Sequence, residues 1–577
     1  MRRWGGDAWG RWSLVISHTS TDTGSVVDWY VWWRGVVVSH VSTDPGETGS
    51  GGQKKAIEEK SYDDTNLDYE DKYNIFFRRK KIVRMGRGTI YLMIAEVMFI
   101  LSGWVIHIGS KKILGISEYG TFGILLSLLT LYRIFLATGV NRAVSRYISR
   151  DPWQAKAIKR QALKLQIALG VGFCIGVWLA APLLARIWRD DAFIGYIRLT
   201  GFFLPVFGIY SVYRGTLNGF TLFGREARVS IIYSLLKVAL VFILIFLFGY
   251  WWGWGLYGAV SGYLVAIIGA TILARAFCPE DKIREGSDTF PITRIISFAF
   301  PVVLFSFIIS LIQHLDLYFV RAMVKETPEL ATGYYTCAQQ FARIPYMLLY
   351  ALSLTIFPNI AANTASGEKD EITGAIIRKA LRGGLLLVLP IAALIGGGAV
   401  PLIGWVYGAD SLAGGNALQF LIFGQTLLAL LMVLATIIMA QGRPWVSFLI
   451  MIGTLLLDAC FNYLLIPVYN INGAAVATTL AAGVGMVAAG VVVYRRFHML
   501  LPPLAILKIV IASALVFISV YLIQPEGWMI PPIYLLLFSG YILLLLLTRE
   551  IDKDDWRMLQ SLITKNSKKI SPNGFRK

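Results

Sequence analysis

The sequence predicts an all-α polytopic membrane protein, and three observations carry that prediction. Only 15% of the 577 residues are charged against 56% hydrophobic, with a mean hydropathy of +0.61. A soluble chain of this length would hold two or three domains, with more charge and shorter apolar runs. From about residue 88 to 548, apolar segments of roughly 20 residues follow one another with short polar breaks, the length a helix needs to cross a bilayer. Finally, basic residues fall in alternate loops, the pattern that sets orientation in a membrane.

Fourteen spans follow in order: 88–110, 117–139, 161–186, 192–217, 229–250, 254–278, 296–320, 333–358, 380–406, 414–440, 445–467, 471–494, 503–523 and 529–548. The connection between spans 2 and 3 carries seven basic residues, from Arg142 to Lys164. Later even-to-odd connections hold Arg225 with Arg228, Lys282 with Arg284 and Arg294, Lys369 with Arg378, Arg443, and Arg495 with Arg496. The opposite connections, such as "GYWWGWG" and "IQPEG", are short and poor in basic residues. Lys111 with Lys112, and Arg186 with Arg189, are the exceptions. The expectation is a multi-pass protein of the cell (plasma or inner) membrane with both termini cytoplasmic. The net charge of +19 then reflects orientation, and nothing points to nucleic acid.

The chain also repeats itself. "FGREARVSIIYSLLKVALVFILIFLFGYWWGWGLYGAVSGYLVA" (223–266) parallels "QGRPWVSFLIMIGTLLLDACFNYLLIPVYNINGAAVATTLA" (441–481), each with Gly-Arg, Val-Ser, a long apolar helix, a turn and Gly-Ala. "LGISEYGTF" and "PELATGYYT" likewise place Gly-aromatic at the start of an even-numbered span. Spans 1–6 therefore repeat as 7–12, two pseudo-symmetric six-helix lobes with spans 13 and 14 outside the repeat. Six is even, so the halves share one orientation, about an axis along the membrane normal. Two like bundles facing a midplane cavity are a transporter architecture.

The domain division expected is an extension at 1–85, an N-lobe at 86–280, a cytoplasmic linker at 281–295, a C-lobe at 296–497, spans 13–14 at 498–550 and a basic cytoplasmic tail at 551–577. In the extension, "VISHTSTDTGS" recurs as "VVSHVSTDPGETGS", low-complexity copies too short to bury a core. It reads as disordered, or as an upstream stretch ahead of a start at Met85. Arg2 and Arg3 have no clean apolar region beside them, so no secretory signal is expected.

With these elements in place, the chain resembles the polysaccharide-type flippases of the multidrug/oligosaccharidyl-lipid/polysaccharide (MOP) superfamily. The likeness covers roughly residues 86–550. Its elements are Asp316, Gly333-Tyr334-Tyr335, Ala338-Gln339 and Phe357-Pro358, with "LGISEYGTFGILLSLLTLYRIFLATGVNRAVSRYIS" in the N-terminal half. The resemblance implies movement of a polyprenyl- or dolichyl-(pyro)phosphate-linked oligosaccharide from the cytoplasmic to the outer leaflet for cell-surface polysaccharide synthesis. It implies a cationic cavity for the head group and a lipid-tail groove, which spans 13 and 14 would supply. The partners implied are the lipid-linked oligosaccharide, membrane lipid, and glycan polymerases or glycosyltransferases.

A pyrophosphate wants Arg or Lys, with Arg favoured where a planar fork meets two oxygens. Arg343 falls about 15 Å into span 8 and Arg133 about 24 Å along span 2, by helical rise. With Lys237 of span 5 they are the substrate-binding candidates; snorkelling or structural pairing is the competing reading. Candidate gate or coupling residues are Gln313, His314 and Asp316 of span 7, Asp458 and Asn462 of span 11, and Glu96 of span 1. On a continuous helix, Gln313 and Asp316 share a face with His314 turned away, and Asp316 lies about 30 Å along, near the outer mouth. Asp458 and Asn462, at i and i+4, hold a coupling cation or stitch helices together. Arg214 reads as an interfacial anchor.

Signals for catalysis are thin. "DKDD" (552–555) contains a DxD pair but sits in a tail with no room for a nucleotide-binding domain, and there is no P-loop or HExxH. Four scattered cysteines and five histidines suggest no metal site, and no cofactor is expected. The chain therefore reads as a transporter, not an enzyme. The alternatives are a cation-coupled multidrug exporter of the same superfamily and, from another class, a membrane glycan polymerase or glycosyltransferase. The latter would show a substantial extramembrane loop; every outward loop here is short.

Overall fold

The computed structural model describes residues 69–279, 290–365, 370–497 and 503–548. The extension up to residue 68, most of the expected linker and the tail with its DxD pair lie outside the described residues.

Helix α1 (Tyr69–Arg133) carries spans 1 and 2, bent at Gly115, whose φ of 77° suits a residue without Cβ. One π-helical turn, Ile134–Thr138, joins it to α2 (Gly139–Arg150). Then come α3 (Ala155–Trp188), α4 (Ala192–Gly201), α5 (Phe203–Gly219), α6 (Phe223–Trp252) and α7 (Gly255–Ala276). Span 7 is divided into α8 (Ile292–Ile312) and α9 (Leu315–Met323), and span 8 is α10 (Pro328–Ala365). Span 9 is α11 (Asp370–Gly397) with α12 (Ala399–Tyr407), and span 10 is α13 (Gly414–Ala440). Spans 11 and 12 form α14 (Pro444–Phe497), bent at Asn470; α15 (Pro503–Ile523) and α16 (Ile530–Leu547) are spans 13 and 14.

Every expected span thus has its helix, and the described residues contain no strand. Eleven helical stretches are long and apolar enough to cross a membrane. Two of them, 90–150 and 444–497, bend into two crossings each, and α10 adds 38 residues, about 57 Å at the usual rise. Large apolar side chains such as Leu179, Phe246 and Leu522 face outward, as a lipid solvent allows.

Two compact units divide the chain. The first comprises residues up to His107, Tyr132–Leu183 and Ala192–Ser306; the second comprises Ile108–Leu131, Leu184–Asp191 and Phe307 onward. In the first, Val140, Ile148, Ile158, Val212 and Ile295 join one core that gathers α2, α3, α5 and α8. In the second, α13 is buried along nearly its whole length. Gly397 of α11 lets Val520 of α15 approach so closely that a Cβ there would lie 2.5 Å from the Phe517 carbonyl oxygen and 3.1 Å from Val520 Cβ.

The repeat is visible in packing. Gly258 opens span 6 against the backbone of Leu244 in α6, and its counterpart Gly473 opens span 12 against the backbone of Leu465. A side chain at either would strike main-chain atoms of the preceding helix. The Gly-Ala of the sequence repeat is thus a pair of equivalent tight hairpins.

Candidate functional site

In the first unit the charged side chains gather around aromatic rings. Lys237 of α6 is 3% exposed, and its Nζ lies 4.3 Å from the centroid of Phe99, 5.8 Å from Tyr263 and 5.9 Å from Tyr233. Lys237 has no ion pair among the described residues. Such a box holds an ammonium by the negative faces of the rings, an attraction that grows once water is excluded. The Arg133 guanidinium lies 5.7 Å from the same Phe99 ring, so two cations share one aromatic face system. Arg133 is the last residue before the π-helical turn. π turns free a backbone carbonyl from the helical ladder and often mark functional positions. Here the freed carbonyl of Leu136 accepts from Gln166 Nε2 at 2.5 Å and from the Ser211 hydroxyl at 3.2 Å, which holds the distortion in place.

Arg214, read from the sequence as an interfacial anchor, instead forks onto a buried carboxylate. Its Nε and Nη2 donate to Glu226 Oε1 at 3.0 and 2.7 Å, and its guanidinium sits 5.9 Å from the Tyr210 ring. Glu96 is exposed and acts electrostatically on Tyr210, Arg214 and Glu226.

The second unit buries two carboxylates, Asp316 and Asp458. Span 7 is not continuous: α8 ends at Ile312, His314 leaves helical geometry at φ −130°, and α9 starts at Leu315. The shared face expected for Gln313 and Asp316 therefore does not exist, because that expectation needed an unbroken helix. Broken helices at membrane depth require protein partners for the freed backbone. Here the Gln313 carbonyl accepts from Gln339 Nε2 at 3.2 Å and Arg343 Nη2 at 3.4 Å, while the His314 Nδ1–H donates to the Ser310 carbonyl at 2.8 Å.

Asp316 stands in the first turn of α9, where free amides and the helix dipole favour an anion. It has no exposed surface and so does not line a mouth. Its Oδ1 accepts from the Leu317 amide at 2.7 Å and from Gln339 Nε2 at 3.0 Å, and its Oδ2 from the Tyr335 hydroxyl at 2.6 Å. Arg343 donates to Gln339 Oε1 at 3.1 Å, which links this cation to Asp316 through one amide. Asp458 is also fully buried; its Oδ1 accepts from Asn462 Nδ2 at 3.0 Å, and it senses the charge of Asp316 and borders Thr478. Spans 7, 8, 11 and 12 thus contribute to one polar cluster inside the second unit. No group of three or more His, Cys, Asp or Glu side chains arranged to hold a metal occurs among the described residues.

The sequence model of the family described as "Polysaccharide biosynthesis protein" matches residues 85–364. Lipid II flippase MurJ of Bacillus subtilis (strain 168) is 22% identical over 440 residues, covering 69% of this chain and 80% of MurJ. An uncharacterized membrane protein of Methanocaldococcus jannaschii, MJ1068, is 24% identical over 402 residues, covering 63% of this chain and 74% of its own. Among solved structures, lipid II flippase MurJ in an inward closed conformation superposes with a TM-score of 0.63 at 14% identity, over 80% of this chain and 99% of that one. A multidrug resistance MATE family transporter of the MOP superfamily, inward-facing, matches with a TM-score of 0.60 at 16% identity, over 71% of this chain and 98% of its own. The chain thus has the fold shared by these proteins, a polytopic bundle of membrane-length helices.

Of the residues singled out from the sequence, Arg133 with Lys237 form one group, and Gln313, His314, Asp316, Arg343, Asp458 and Asn462 another. Sequence reasoning missed Glu226 and Phe99 in the first and Tyr335, Gln339 and Thr478 in the second. Tyr335 and Gln339 were in view as family-like residues; the clue was that each lies on a helix facing an intramembrane carboxylate.

Proposed function

We propose that this chain is a flippase of the MOP superfamily that translocates a polyprenyl- or dolichyl-(pyro)phosphate-linked oligosaccharide from the cytoplasmic to the outer leaflet of a cell membrane, with both termini cytoplasmic, by alternating access of its two lobes. The observation that carries the reading is the Arg133–Phe99–Lys237 group within the segment matched by the polysaccharide biosynthesis model. A buried lysine held only by aromatic faces keeps its ammonium hydrogens for a ligand, and phosphate oxygens are the natural acceptors. Within the second unit, Arg343 is a separate candidate for the substrate, and its buried Nε makes no hydrogen bond within the protein. Spans 13 and 14, seated on α11, suit a lipid-tail groove. Asp316, Asp458 and Asn462 serve as the coupling or gating group, with Glu96 tuning the charge near Arg214. The work is transport, with no chemical step on the substrate, and glycan polymerases or glycosyltransferases are the partners that supply and consume the glycan.

The fold match to a MATE transporter keeps one second reading, a cation-coupled multidrug exporter, for which the buried carboxylates of the second unit would suffice. Reconstituted liposomes decide between them. Translocation of a fluorescent polyprenyl-pyrophosphate oligosaccharide supports the flippase; no translocation together with proton- or sodium-driven drug efflux supports the exporter and overturns it.

A further inference from the structure

At the Lys111 end of the second unit, segments from the N-terminal half of the chain are tied to helices of the C-terminal half by buried charge. Arg321 of α9 has no exposed side-chain surface. Its Nη2 donates to Asp190 Oδ2 at 2.8 Å, and its Nη1 stands 2.7 Å from Glu329 Oε1. Asp190 belongs to the connection between α3 and α4, whereas Glu329 opens α10, close to Arg321 in sequence. Lys111, at the end of span 1, is 4% exposed; it donates to Asp410 Oδ1 at 2.5 Å and to the Tyr407 carbonyl.

Between these pairs the helices meet without side chains. A Cβ on Gly120 would lie 2.5 Å from the Gly333 nitrogen and 3.0 Å from its Cα, and a Cβ on Gly333 would strike the Ile116 carbonyl. Gly120 and Gly333 occupy equivalent positions in "LGISEYGTF" and "PELATGYYT", so the crossing joins the same point of the two halves. The Tyr119 and Tyr407 rings close beside it, 6.1 Å apart.

We propose that Arg321 is the keeper of a charge latch at this end: it gives up a partner in the other half, Asp190, and keeps its local partner, Glu329, when the end opens. Lys111–Asp410 is the second tie, and the Gly120–Gly333 crossing is the hinge face that lets the helices seat. The reasoning is electrostatic. Separating an ion pair whose cation is buried leaves that charge uncompensated, a penalty eased when a second carboxylate stays in place. Glu329 moves with Arg321 and so lowers the cost of releasing Asp190. Its presence keeps the latch reversible. The meaning of the latch as a step in transport rests on the function proposed above; its existence does not.

The two carboxylates make opposite predictions, which a simple loss of stability cannot imitate. Asp190→Asn removes a tie present only in the closed form and shifts the population toward open. Glu329→Gln leaves Arg321 with Asp190 as its carboxylate in the closed form and with neither in the open form, so it shifts the population toward closed. The protein carries its own reporter. Cys337 is fully buried on α10, about one turn beyond Gly333 of the crossing.

With Cys174, Cys278 and Cys460 replaced by Ser, the rate of Cys337 alkylation by a charged maleimide is measured in permeabilised membranes without substrate. For partly exposed pairs of this kind, rates about threefold faster in Asp190→Asn and Asp410→Asn are expected. Gly120→Ala is expected to be faster too, and Glu329→Gln slower than the parent. Equal rates in all variants, no labelling in any, or Asp190→Asn and Glu329→Gln moving together would overturn the latch. A protein that shows the opposed shifts yet moves no lipid-linked oligosaccharide keeps the latch and loses the flippase.

Discussion

The polar groups singled out in the two units are held by different chemistry. In the first, cations lie against carbon: Lys237 is boxed by Phe99, Tyr233 and Tyr263, and Arg133 reaches the same Phe99. In the second, carboxylates lie among donors: Asp316 takes three hydrogen bonds, and Asp458 is held by Asn462. Aromatic faces hold a cation while leaving its hydrogens free for an anion. Amide and hydroxyl donors satisfy a carboxylate and leave little for an anionic ligand. On the function proposed above, the first group would meet a phosphate and the second a proton or small cation.

Four substitutions test this contrast, in descending order of effect. Lys237→Met keeps length and apolar contact while removing the charge, so transport of the lipid-linked oligosaccharide should fall by an order of magnitude or more. Thermal stability should hold or rise, because a buried charge without an ion pair is costly. A fluorescence-detected melt and the liposome assay read both, and unchanged transport would return Lys237 to a packing role. Glu226→Leu strands the partly exposed Arg214 and should cost about 2–3 kcal/mol of stability, less than a fully buried broken pair. If the melt does not move, the Arg214–Glu226 fork contributes nothing.

Tyr335→Phe removes one donor to Asp316 and should cost about 1.5–2 kcal/mol, since the bond is to a charged acceptor in a dry site. Asp316→Asn is the gentlest change in volume. Its transport should lose sensitivity to the proton or cation gradient; wild-type transport at every pH would leave Asp316 a structural cap of α9.

The sequence made the spans legible because crossing a bilayer demands about 20 apolar residues each, and the loops then add charge with a fixed alternation. The repeat was legible for a steric reason: Gly258 and Gly473 must lie against the preceding helix, so both halves keep them. The break at Gln313–His314 was not, since neither proline nor glycine marks it and its stability comes from Gln339 and Arg343, 26 and 30 residues away. Glu226 and Asp410 were equally hidden. Each looks like an ordinary polar residue near a span end until a distant cation, Arg214 or Lys111, is brought to it. Individual ionisable residues in spans announced themselves; their partners did not.

The central claim is that the cationic half recognises the phosphate of a lipid-linked glycan. Its most direct test compares translocation of a polyprenyl-pyrophosphate oligosaccharide in liposomes by the parent protein, Lys237→Met and Asp316→Asn. The account predicts robust translocation by the parent, near abolition in Lys237→Met, and translocation in Asp316→Asn that persists but no longer follows the imposed gradient. Full translocation by Lys237→Met, or none by the parent, would contradict it.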